Sequence, residues 1–156
     1  MRHAADRAAT PNRPRALVLD AHSAAGLETV QDLGRHGIAV DAADAGTGLA
    51  FHSRYAHRQW TYPAGAGSVD LIGWLRTLDA RETYGLIVPS TEQALRILQR
   101  VGDDAPLRRK AVLSGRASID TALDKWRTWE LAVRLGVPVP PARLLRSGHQ
   151  PDAALR

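Results

Sequence analysis

Apolar residues along the chain recur with two alternating periods, and their succession gives the order of elements. Residues 16–20, ALVLD, are a short apolar run closed by an acid, the pattern of a parallel strand buried on both faces. Leu27, Val30 and Leu33 then recur at helical spacing behind Ser23, a helix-capping residue type, and Gly34 or Gly37 is placed to end that helix. Residues 38–42, IAVDA, predict a second strand and complete a β-α-β unit with a right-handed connection. Residues 57–62 predict a short edge strand with alternate side chains divided between core and solvent. After a glycine-rich break, Ser68 can cap a helix carrying Val69, Ile72, Leu75 and Leu78, with Asp70 suiting its dipole. Residues 84–89, YGLIVP, have the most buried-looking strand pattern, and Ser90-Thr91-Glu92 lead into a helix with Ala94, Leu95, Leu98 and Val101 on its apolar side. Residues 111–113 predict one more short strand.

The last stretch differs in kind. Ile119, Ala122, Trp126, Trp129 and Val133 fall on one helical stripe, with Lys125 at its margin. Asp124 is placed to cap a helical segment beginning at Lys125, which sets the ammonium beside the positive end of a helix, where an anion is welcome. Gly136 can close the helix in a left-handed conformation, and Pro138 with Pro140-Pro141 forbids continuation.

Length and composition narrow the classes. A chain of 156 residues, 44% hydrophobic, supports one globular α/β domain with a sizeable core. The absence of cysteine excludes disulfide scaffolds, thiol catalysis and thiolate metal sites. The first residues carry charge without an apolar signal segment, and no apolar run is long enough for a bilayer, so a cytoplasmic protein without a membrane partner is expected. The net charge of +5 comes from arginines spread over the predicted helices and loops, which reads as a solvated surface.

Several chemistries compete for the loops. A β-α-β start raises dinucleotide binding, with Asp41 or Asp44 for the ribose, but the first turn, Asp20 to Gly26, has one glycine where close approach to a pyrophosphate needs three. His22 and Ser23 nonetheless sit at the carboxyl end of a strand, where open α/β sheets bind ligands; a capping serine and a surface imidazole are the competing account. Between residues 45 and 67, His52 and His57 with Asp44 raise a metal site, though without a firm ligand spacing. Arg54, Tyr55, Arg58, Trp60 and Tyr62 raise a stacking platform for single-stranded nucleic acid, though no recognisable module frames them. A loop followed by an edge strand accounts for the same residues.

The succession from Asp124-Lys125 through Leu135 to Gly136-Val137-Pro138-Val139-Pro140 resembles the segment that opens the ATP-grasp fold in carboxylate-amine ligases of the carbamoyl-phosphate-synthase-like kind. Ser53-Arg54-Tyr55 and the strand, proline, Ser/Thr, acid and helix order around Thr91 and Glu92 are similar to the Rossmann-like domain that precedes that fold. The resemblance spans roughly residues 15 to 143. It implies a mostly parallel sheet with helices on both faces, Lys125 reaching ATP phosphates, and Arg54, Thr91 and Glu92 near a substrate cleft. Helix capping is the competing account of Thr91 and Glu92.

The resemblance also implies a parent enzyme that couples ATP hydrolysis, with Mg2+, to joining a small-molecule carboxylate and amine through an acylphosphate. The family's second lysine, adenine hinge and magnesium-holding Glu and Asn are missing, and residues 147–156 resemble the start of the next helix. The expectation is therefore a disordered tail over 1–14, a pre-ATP-grasp Rossmann-like domain over 15–118, and a linker helix with the beginning of a truncated ATP-grasp domain over 119–156. Such a chain is expected to be inactive alone and to bind neither ATP nor Mg2+ tightly. A free-standing Rossmann-like ligand-binding or regulatory module is the alternative, and a basic nucleic-acid-binding protein the second. Nucleic acid is not the expected partner, and a homo-oligomer is compatible with the sequence.

Overall fold

A computed structural model describes residues 15–63, 68–102 and 105–144. The tail expected over 1–14 and the stretch 147–156 lie outside the described residues, as do the side chains of Ser68 and Val69. The chain forms two compact units, one through Leu113 and one from Ser114.

In the first unit, β1 (Arg15–Leu19), β2 (Val40–Asp44), β3 (Ala56–Thr61) and β4 (Tyr84–Pro89) form an all-parallel sheet in the order β3-β2-β1-β4. The crossovers run through α1 (Ala24–Arg35), between β1 and β2, and α2 (Ser68–Glu82), between β3 and β4. α3 (Glu92–Leu98) and the short α4 (Pro106–Lys110) follow. Side chains alternate across the strands. Ala16, Val18, Val40 and Ala42 pack with Val30 of α1, while Leu17, Leu19, Ala43 and Ile87 pack with Leu71, Leu75 and Leu78 of α2 and Leu98 of α3. Both faces are thus covered, as a parallel sheet requires, and the fold is α/β and Rossmann-like as the sequence predicts. Fully burying one such Leu or Val contributes about 1.5–3 kcal/mol.

Local chemistry explains where the elements depart from the pattern. β2 begins at Val40 rather than at residue 38 because Ile38 belongs to the end of α1. The Ile38 amide donates to the Leu33 carbonyl at 3.0 Å and the Gly37 amide to that of Gly34 at 3.1 Å, with Gly37 at φ 77. This is the left-handed closing motif that favours glycine; Gly37 ends the helix and Gly34 lies inside it. The expected strand over 111–113 reduces to one bridge between Ala111 and Ile87. α4, which hydropathy did not announce, takes the Ala111 amide onto the Leu107 carbonyl at 3.1 Å, leaving Val112 to donate to Ile87 at 2.8 Å. β4 is less buried than β1 or β2, and among the described residues its outer side has only that bridge. β3 is an edge strand, as expected, with Trp60 half-buried and Arg58 exposed.

β2 carries two buried acids, Asp44 at its end and Asp41 in its body. Asp41 on β2 is 0% exposed, and its Oδ2 accepts from Tyr84 Oη at 2.6 Å, Trp60 Nε1 at 3.2 Å and Arg15 at 3.4 Å. It joins all four strands through side chains. Arg15 also reaches Glu82 at 3.3 Å, and Arg58 pairs with the same glutamate.

In the second unit the apolar stripe is divided between α5 (Arg116–Ala122) and α6 (Lys125–Arg134). Asp124 Oδ1 accepts from the amides of Trp126 at 2.9 Å and Arg127 at 3.0 Å, so the side chain that starts α6 also ends the continuity of the stripe. Gly136, at φ 70, closes α6, with the Val137 amide donating to the Ala132 carbonyl at 2.9 Å. Trp126 and Trp129 stack with ring centroids 4.9 Å apart, and Trp129 Nε1 donates to the Pro140 carbonyl at 3.0 Å, tying the proline segment to the helix. Ile119 is buried, whereas no residue of α6 is.

Candidate functional site

In the order β3-β2-β1-β4 the chain runs outward from β1 on one side and then returns to place β4 on the other. Ligands of open α/β sheets bind outside the carboxyl ends of the strands at such a reversal. A cleft of about 110 Å3 lies there, within the first unit. Its polar wall is Asp20 after β1, His22 in the following turn, Tyr62 after β3 and Gln93 at the start of α3. Ala45, Leu71, Ala94 and Ile97 supply apolar wall.

Two carboxylates organise the polar wall. Asp20 is buried, 6% exposed, and adopts a left-handed conformation at φ 56 that Asp tolerates better than most residues. Its Oδ1 accepts from the Tyr62 hydroxyl and its Oδ2 from the Thr91 hydroxyl, which ties the ends of β1, β3 and β4 together. Burial and the Asp20 charge both push the Tyr62 phenol far above its ordinary value, so it remains a donor.

Asp44 ends β2. Its Oδ2 meets the His22 amide at 2.8 Å and His22 Nδ1 at 2.7 Å, and its Oδ1 accepts from the Gly46 amide at 3.0 Å. Burial raises its carboxyl, but the Gly46 hydrogen bond, the two from His22 and the His22 charge together outweigh burial and hold it below the ordinary carboxylate value. An ionised Asp44 can only accept from Nδ1–H, and in the neutral ring that tautomer leaves Nε2 with a lone pair. The His22 side chain is 58% exposed, and among the described residues Nε2 makes no hydrogen bond.

The other sequence candidates fall in several places. Ser23 caps α1, accepting from the Gly26 amide at 2.9 Å and donating to the Asp20 carbonyl at 2.9 Å. Thr91 caps α3, accepting from the Ala94 amide at 3.2 Å, while its own proton goes to Asp20. Both are caps, and neither lines the cleft. Glu92 is exposed and pairs with Arg96 one helical turn on, at 2.7 Å. Arg54 is exposed, with its guanidinium 4.8 Å from the Tyr55 ring centre and a hydrogen bond to that hydroxyl at 2.7 Å. Neither Arg54 nor Glu92 lines the cleft.

Lys125 opens α6 in the second unit and is exposed, with no acidic partner among the described residues. The first amides of α6 are already taken by Asp124, so an anion there would meet the ammonium and not the helix amides.

The metal constellation does not assemble: Asp44 holds His22, whereas His57 Nδ1 lies 3.7 Å from Asp41. The stacking platform is internally engaged, since Arg58 pairs with Glu82, Trp60 donates to Asp41 and Tyr62 to Asp20. Sequence reasoning missed Asp20 as the joint of the cleft. The available signal was the acid closing the first apolar run, ALVLD.

No protein-family model matches the chain, and no curated protein matches it. Solved structures do. The biotin carboxylase domain of a single-chain bacterial carboxylase matches with TM-score 0.54 and 21% identity over 81% of this chain and 30% of that one. The L-amino acid ligase from Bacillus licheniformis matches with TM-score 0.56 and 14% identity over 83% of this chain and 32% of that one. The complete multifunctional pyruvate carboxylase from Rhizobium etli matches with TM-score 0.54 and 13% identity over 84% of this chain and 13% of that one. The chain spans about a third or less of the length of each. Its fold is the Rossmann-like α/β fold of the N-terminal part of ATP-grasp enzymes.

Proposed function

We propose that this chain is the N-terminal portion of an ATP-grasp ligase that joins a small-molecule carboxylate to an amine. The observation carrying this reading is the fold likeness over about four-fifths of the chain to the N-terminal part of ATP-grasp enzymes, one of them an L-amino acid ligase. The Asp124 cap, the Lys125 start and the Gly136 stop of α6 support it, because they build the opening segment that the sequence resembles. ATP, bound with Mg2+ by the remainder of the parent, supplies the phosphoryl group that activates the carboxylate. Lys125 contributes one cation to the phosphates, and the first unit supplies a wall of the substrate cleft.

The test is the intact mass of the product of the native locus, followed by assay of that protein for ATP- and Mg2+-dependent phosphate release with amino acids. A longer product with this activity is expected, and Lys125→Ala should slow it about ten- to a hundredfold, the worth of a hydrogen bond to a charged group. A native product of 16.9 kDa without ATP-dependent chemistry would overturn the reading. The second reading, a free-standing ligand-binding module, is favoured by one observation: the cleft is lined entirely from the first unit.

A further inference from the structure

We infer that the cleft at the carboxyl ends of the strands binds a small primary amine, and that His22 Nε2, oriented by Asp44, is the atom that accepts its proton. The inference deepens the ligase reading by assigning the amine to this cleft, yet its geometry stands without ATP.

The charge of the lining selects a cation. Asp20 lines the cleft, Asp44 stands behind His22 at the same strand ends, and among the described residues no Lys or Arg lines the cleft. A carboxylate or phosphate ligand would meet like charge in a partly desolvated place, whereas an ammonium would be attracted. The size selects a small ligand. About 110 Å3 is little beside the roughly 300–1,000 Å3 of clefts that take drug-sized molecules. Ala45, Leu71, Ala94 and Ile97 suit a short aliphatic chain.

The imidazole then has defined chemistry. Nδ1–H donates to Asp44 at 2.7 Å, so the neutral ring presents the Nε2 lone pair. When an ammonium approaches, one of its N–H bonds breaks and the electron pair stays on the amine nitrogen. The Nε2 lone pair forms the new N–H bond. The ligand leaves this step as a neutral, nucleophilic amine, and the positive charge passes to an imidazolium held against Asp44. Although burial raises the Asp44 carboxyl, its hydrogen bonds from Gly46 and His22 outweigh that and leave it ionised to receive the charge. Asp44 is a positioning residue, because it acts through His22. Asp20 and Tyr62 are the other titratable groups of the lining, and each is engaged with the other.

Two NMR measurements on the full chain test this. First, nitrogen shifts of neutral His22 should show the proton on Nδ1 in the wild type and on Nε2, the form favoured by free histidine, in Asp44→Ala. Protonated Nε2 in the wild type would overturn the assignment. Second, propylamine, sodium propionate and 1-propanol are titrated separately into the labelled chain. Propylamine should give saturable shifts at His22, Ala45, Gln93 and Ala94, with at least tenfold weaker effects from propionate, and His22→Gln should weaken the amine about tenfold. His22 is exposed, so that variant is expected to keep the wild-type amide spectrum elsewhere. Equal response to propionate, or no saturable response to the amine, would overturn the proposal. Because neither measurement needs ATP, ligation by the longer protein without amine binding here would sink this inference alone, and amine binding without ATP-dependent chemistry would sink the ligase reading alone.

Discussion

Replacing Asp41 with alanine tests whether the buried acid in the body of β2 is structural. The change takes the acceptor from the Tyr84 hydroxyl, on a residue 1% exposed. An orphaned buried hydroxyl costs about 1–3 kcal/mol. Arg15 keeps Glu82 at 3.3 Å, and Trp60 is half-buried, so their losses are smaller. Part of the cost is offset because a buried carboxylate no longer has to be desolvated, giving a net loss of about 2–3 kcal/mol. Asp41→Asn keeps an acceptor for Tyr84 and should cost about 1 kcal/mol. In the Asp41→Ala, Tyr84→Phe double variant no orphan hydroxyl remains, so a coupling of about 1–2 kcal/mol is expected. The assay is urea unfolding followed by tryptophan fluorescence in a background with Trp126→Phe and Trp129→Phe, which confines the signal to Trp60 and Trp74 in the first unit. The midpoint should fall without a change in slope. If Asp41→Ala stays within about 0.5 kcal/mol of the parent, or the double variant shows no coupling, the reasoning is wrong.

Two helical glycines should respond with opposite signs. A Cβ on Gly34 of α1 would lie 2.5 Å from Tyr55 Cβ, so Gly34→Ala should cost about 1–3 kcal/mol from overpacking, read as a lower thermal midpoint. Gly73 of α2 has open space around its missing Cβ, and Gly73→Ala should stabilise by about 0.5–1 kcal/mol in the same melt. Acid unfolding should reveal Asp44. Its carboxyl is lowered on folding, so its contribution is complete above the unfolded value of about 3.9 and disappears as pH falls through the folded one. Asp44→Asn should flatten that part of the stability profile, and an unchanged acid limb would refute the assignment.

The sheet was legible because its signals are local. ALVLD and YGLIVP are short apolar runs with a helical period after each, and that succession suffices for a parallel α/β order. The start of β2 was not legible in hydropathy, since Ile38 is as apolar as a strand residue but serves the end of α1. The caps Ser23, Thr91 and Asp124 could be read, because capping depends on residues a few positions away. The cleft could be read only in part. Tyr62 and Thr91 meet on Asp20 from distant parts of the chain, and nothing in the local pattern of any of them announces the meeting. The same holds for Asp41, where an acid within a strand-like run has its partners on β1, β3 and β4.

The strand order also sets a timetable for synthesis. β1 gains β2 soon after it is made, but its other neighbour, β4, begins only at Tyr84. At about 5–20 residues per second, the growing chain holds the open edge of β1 for several seconds. During that interval Leu17 and Leu19 also lack α3, which follows β4. A nascent chain paused before Tyr84 therefore presents an unpaired, hydrophobic strand edge, the feature most prone to join another chain. The reversal that creates the cleft is thus also the reason this unit completes its centre last.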